Sequence, residues 1–168
     1  MSGLDTLAGR HEVASASDME RLGRTMGGML SAGDLVVLTG PLGAGKTTLT
    51  RGIAEGLGVR GPVQSPTFVI ARTHPSLVGG APLVHVDAYR LGSAAELDDL
   101  DIDVDGSVVV VEWGRGMAEG LRELWWEVEI ERATGGHGAD SACALPDWDP
   151  EDQDAPDPRT VTITRHGA

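Results

Sequence analysis

At 168 residues, with 40% apolar and 23% charged residues, the chain has enough material for a single domain with a buried core. A net charge of −13 excludes a groove that grips nucleic acid unaided, because phosphate binding needs clustered Lys and Arg and this field repels polyanions. Cys143 is the sole cysteine, so an internal disulfide is excluded, and no apolar run approaches a membrane span. The N-terminal residues lack a hydrophobic signal core, which makes the cytoplasm the expected location.

Ser17-Asp-Met-Glu20 has the capping-box pattern, and Met19, Leu22, Met26 and Met29 recur at helical spacing, predicting a helix to about Leu30. Leu35 to Thr39 is a short continuous apolar run, as expected of a strand buried on both faces. Glycines follow, then a predicted helix from Lys46 to about Leu57, stopped by Gly58. "TFVIAR" and "PLVHVD" read as strands, and Ser93-Ala-Ala-Glu96 is a second capping box opening a short helix. "SVVVVEW", Ser107 to Trp113, is the most β-branched run and reads as a central strand. A short helix is expected near Met117 to Leu124. "EVEIER" and "TVTITR" alternate with period two, as a terminal antiparallel pair would.

Between that pair, Ala133 to Pro158 is rich in Gly, Pro and Asp and reads as a disordered acidic loop within the single domain 1–168. A short docking element around Trp148 is the alternative. The alternation of strands and helices predicts an α/β layered domain with a mostly parallel central sheet.

Lys46 is the only lysine; arginine supplies the rest of the 13 basic residues. It lies in Gly40-Pro-Leu-Gly43-Ala-Gly45-Lys46-Thr47, which satisfies G-x-x-x-x-G-K-[ST] between an apolar strand and a helical pattern. Backbone N–H groups around such a bend, together with a helix N-terminus, neutralise a polyphosphate. Glycines are needed because side chains would block that approach. A compact ammonium reaches the β- and γ-phosphates where an Arg fork would not fit, which explains the retained lysine. Thr47 offers a hydroxyl to Mg²⁺, a cation that takes few protein ligands beside waters and phosphate oxygens.

Two strand candidates end in an acid, Asp87 and Glu112. A parallel sheet brings such ends to the edge that carries the phosphate loop, so one could hold Mg²⁺ and the other position water; residue type alone leaves the assignment open. Asp101 to Glu112 also fits the calcium-loop spacing D-x-D-x-D-G-x₅-E. Four valines lead into Glu112 where a calcium hand needs an exit helix, so the aspartates read as a solvated loop. His85 reads as a core-facing strand residue rather than a ligand.

The blocks "GPLGAGKTTLTRGIAEGLGV", "VQSPTFVI", "HVDAYRL", "AAELDDLDID" and "VVVVEW" occur in this order. Over about Ser17 to Trp113 the chain thereby resembles the TsaE (older name YjeE) family, the P-loop ATPases of tRNA threonylcarbamoyladenosine synthesis. The resemblance implies a P-loop α/β fold binding ATP with Mg²⁺ and acting with the TsaB–TsaD pair. That pair transfers the threonylcarbamoyl group to adenosine 37 of ANN-decoding tRNAs, so tRNA would be met only through the complex, and ATP hydrolysis would reset or license it. Carried over by position, the resemblance assigns Leu42, Gly43, Ala44, Gly45, Lys46, Thr47 and Thr48 to the phosphate cradle and Thr47 and Glu112 to Mg²⁺. It assigns Asp87, Lys46 and Thr67 to hydrolysis, Ser65 and Thr67 to a switch-like segment near the γ-phosphate, and Trp113 to a place beside the nucleotide. Pro41 stands where many members have Asp. For Tyr89 and Arg90, packing and a surface ion pair compete with a functional role.

A GTPase is excluded: its guanine-reading N/T-K-x-D motif needs a second lysine, and the chain has none. A small-molecule kinase is the main rival, with "GRGMAEGLRELW" and its Arg115 and Arg122 as candidate lid. A nucleotide-gated interaction module is the other.

Overall fold

The computed structural model describes residues 3–66, 69–132 and 157–167. Thr67 and almost all of the acidic stretch 133–158 lie outside them. The described strands are β1 (Gly9–Val13), β2 (Leu35–Thr39), β3 (Ala71–His74), β4 (Leu83–Asp87), β5 (Val108–Glu112), β6 (Trp125–Arg132) and β7 (Arg159–His166). They form one seven-stranded sheet in the order β1-β7-β6-β2-β5-β4-β3. The inner strands β6, β2, β5 and β4 run parallel, while β3 and the β7–β1 pair are antiparallel at the two edges. This is the mixed sheet expected of an α/β domain whose centre is covered on both faces.

The valine-rich runs are continuous rather than alternating because both faces of the central strands are buried. Val36 and Leu38 of β2, with Val108 and Val110 of β5, pack under the helices α1 (Ala16–Gly27) and α2 (Lys46–Leu57). Leu35, Val37, Val109 and Val111 face the other way, toward Leu97 of the short helix α3 (Ala94–Asp98) and Ala118.

Helices α1 and α2 meet through glycines. A Cβ on Gly52 would lie 2.2 Å from the Glu20 carbonyl oxygen, and one on Gly27 would lie 2.3 Å from that of Ile53. Gly23 and Gly56 are equally crowded. This close approach seats α2, and with it the loop at its N-terminus. The flanking ion pairs Arg24–Glu55 and Arg51–Glu20 are largely exposed and add about 0–1 kcal/mol each. Gly52→Ala gains about 1 kcal/mol of helix propensity, but the new Cβ meets backbone that cannot rotate away. The overpacking cost therefore falls in the upper part of its usual range, about 2–3 kcal/mol, for a net loss of about 1–2 kcal/mol. Thermal unfolding should place its Tm roughly 2–8 °C below the parent. Gly120→Ala, where nothing stands within 4 Å of the new Cβ, should leave Tm within about 2 °C.

Several elements differ from the sequence reading. Helix α1 is capped by Ser15, whose side chain accepts from the Asp18 N–H at 3.3 Å, and not by Ser17. It stops at the Gly27–Gly28 pair rather than at Leu30. Of "TFVIAR", Thr67 and Phe68 lie outside the described residues; the N–H groups of Val69 and Ile70 both bond back to the Pro66 carbonyl in a turn, with Ile70 at φ +70°, and the strand runs from Ala71. The expected helix near 117–124 shortens to a 3₁₀ turn, Ala118–Leu121. Polar β1, "GRHEV", has no apolar alternation and was not anticipated; its place comes from pairing with β7. The terminal pair β6–β7 forms as expected, and β6 further joins β2 in parallel.

Candidate functional site

Strand β2 ends at Thr39, and Gly40–Gly45 turns the chain into α2. The turn requires Gly43 at φ +74° and Gly45 at φ +110°, left-handed conformations that glycine adopts without strain. Gly45 caps α2 without any side-chain hydrogen bond. The first N–H groups of a twelve-residue helix are therefore left to an anion.

The Lys46 ammonium donates to the Gly40 and Pro41 carbonyls at 2.8 and 2.9 Å and lies 4.0 Å from the centroid of the Trp113 ring. Burial lowers its pKa from the ordinary lysine value, while Glu112 and Asp87 oppose the shift. A polyphosphate would add negative charge and favour the protonated amine further. Trp113 takes φ +61°, unusual for a bulky residue, and its N–H donates to the Leu38 carbonyl at 3.2 Å. That backbone bend directs its ring over Lys46. Tyr89 lies 5.4 Å from the same ring, centroid to centroid.

Strands β4 and β5 deliver the two acids side by side: Asp87 and Glu112 are direct register partners at the parallel strand ends, and both are buried. The Thr47 hydroxyl donates to Glu112 Oε1 at 3.1 Å. Neighbouring ligands of an octahedral Mg²⁺ at about 2.05 Å lie about 2.9 Å apart, so this oxygen pair fits that cation with little adjustment. Asp87 Oδ1 accepts from the Tyr89 N–H at 3.0 Å. Lys46, Thr47, Asp87, Glu112 and Trp113 line one cleft of about 470 Å³, with Ser65 and Tyr89 also on its wall.

Two arginines that sequence reasoning passed over support the loop. Arg132 donates to the Gly43 carbonyl at 3.0 Å, and Arg159 to the Ala44 carbonyl at 3.1 Å. They are register partners across β6 and β7, at the two ends of the acidic stretch, and that facing placement was the available signal. With Ser15, Met19 and Thr48 they line a second hollow of about 380 Å³ that shares Gly43, Gly45 and Thr48 with the cleft. His85 is core-facing as expected, yet it also contacts Glu112, with Nε2 3.1 Å from Oε2.

The other candidates fall elsewhere. Arg115 is engaged by Glu127 and Glu129 at 2.7 and 3.2 Å. Arg122 donates to the Gly33 carbonyl and pairs with Asp105, at the start of β2 and β5 and so at the opposite end of the strands from the cleft. In the calcium-like stretch, Asp103 accepts from Gly106 of its own turn, and Glu112 faces Thr47. Thr67 lies outside the described residues.

A sequence model of the threonylcarbamoyl adenosine biosynthesis protein TsaE family matches residues 13–138. The chain is 63% identical over 120 residues to the tRNA threonylcarbamoyladenosine biosynthesis protein TsaE of Streptomyces coelicolor, covering 70% of this chain and 81% of that one. It is 49% identical over 138 residues to the protein of the same name from Mycobacterium tuberculosis, covering 77% and 82%. Among solved structures, that of YdiB from Bacillus subtilis superposes with a TM-score of 0.65 at 28% identity, over 95% of this chain and 85% of that one.

Proposed function

The chain belongs to the TsaE family, and with it to tRNA threonylcarbamoyladenosine biosynthesis; from that premise and the cleft we propose that it is a Mg²⁺-dependent ATPase serving the TsaB–TsaD complex. The observation that carries this reading is the Thr47–Glu112 oxygen pair at 3.1 Å beside the uncapped N-terminus of α2 and its lysine.

In this reading the N–H groups of the loop and of the first turn of α2 hold the polyphosphate of ATP, and Lys46 swings from its loop carbonyls onto the β- and γ-phosphate oxygens. Thr47 and Glu112 hold Mg²⁺, which when bound draws charge from those oxygens. Asp87, one strand away, orients the attacking water and takes up its proton. Trp113 and Tyr89 wall the γ-phosphate side, and the nucleoside lies in the adjoining hollow against Met19 and Thr48. The acidic surface meets tRNA only through the protein partner. Among the described residues no helix is long and apolar enough to cross a membrane.

The kinase alternative is weakened by the engagement of Arg115 and Arg122. With γ-labelled ATP and a metabolite extract, label should pass to water alone; a labelled metabolite would favour the kinase. Immobilised chain should retain purified TsaB–TsaD in an ATP-dependent manner, and no retention with or without ATP would remove the partner assignment.

A further inference from the structure

Resting on the reading of Thr47 and Glu112 as Mg²⁺ ligands, we propose that His85 is a positioning residue that holds the Glu112 carboxylate in its metal-facing orientation. His85 is fully buried in β4, and its Nε2 lies 3.1 Å from Glu112 Oε2. A carboxylate only accepts, so Nε2 carries the proton and donates. Glu112 is thereby held from two sides, His85 on Oε2 and Thr47 on Oε1.

The restraint matters because of what else is nearby. Lys46 and Glu112 carry opposite charges and line the same cleft. A glutamate has three rotatable side-chain bonds, and an unrestrained Glu112 would turn onto that ammonium, removing both groups from the nucleotide. A donor fixed in the strand beneath opposes this collapse and leaves Oε1 beside Thr47. Strand periodicity makes the arrangement cheap: His85 and Asp87 are two apart on β4, so one face supplies both the support and the second acid. Such supports of a metal-binding carboxylate are worth roughly 10–100-fold in metal affinity.

The test is calorimetric binding of a non-hydrolysable ATP analogue to the full chain, in Mg²⁺ and in EDTA. His85→Leu should lose roughly 10–100-fold of affinity in Mg²⁺ and none in EDTA. His85→Gln, whose amide nitrogen reaches the place of Nε2, should recover most of the loss. Should the leucine variant fail to fold, His85→Asn takes its place, since its shorter amide stops at the position of Nδ1 and leaves Oε2 without a donor. Equal losses in Mg²⁺ and EDTA, or no loss, would overturn the proposal. A parent protein whose affinity ignores Mg²⁺ would overturn the metal reading first, and the proposal with it.

Discussion

In a Lys46→Ala protein, ATP affinity falls by roughly 30- to 4,000-fold, the equivalent of the 2–5 kcal/mol lost when one partner of a buried charge pair is truncated. Lys46 is only 6% exposed, and it supplies the one side-chain ammonium of the loop. Its hydrogen-bond acceptors are the carbonyls of half-buried Gly40 and exposed Pro41, which water can reach when the amine goes. The fold should therefore survive, with Tm within about 2 °C of the parent. Lys46→Arg should not restore binding, because the bulkier planar fork does not match the place that the compact ammonium takes beside the β- and γ-phosphates within the wrapped loop. Calorimetry separates these outcomes; undiminished ATP affinity in the alanine variant would remove the lysine from the account.

Asp87→Asn slows ATP cleavage by roughly 10²–10⁴-fold, the range expected on losing a positioned base. Asparagine is the informative choice because it still caps the 3₁₀ turn Ala88–Arg90, where Asp87 Oδ1 accepts the Tyr89 N–H. ATP affinity should hold or tighten slightly, since one negative charge leaves the phosphate site. The same variant separates hydrolysis from gating. Reconstituted tRNA modification that stops over repeated turnovers would make cleavage the working step. Modification at full rate by an enzyme that binds ATP without splitting it would make the chain a nucleotide-gated module.

Much of this arrangement was readable from residue order, for physical reasons that differ by element. The β2–loop–α2 unit announces itself because an apolar run, obligatory glycines and a helical pattern must follow in that order. Asp87 and Glu112 end two buried strands, and parallel pairing sends such ends to one edge. What escaped were features made by tertiary contact. The glycines of α1 and α2 carry no pattern that announces a helix contact, and their role appears only where the two backbones touch. Strand β1 has no pattern of its own and is placed by its partner. Arg132 and Arg159 lie far from the loop in sequence, and His85 was read as core without the carboxylate it holds.

The most direct test is a crystal structure of the chain with Mg²⁺ and a non-hydrolysable ATP analogue. The account expects the β- and γ-phosphates wrapped by Gly43–Thr48, with density for the cation touching both Thr47 Oγ1 and Glu112 Oε1. A triphosphate bound away from that loop, or a cation held by other residues, would contradict it.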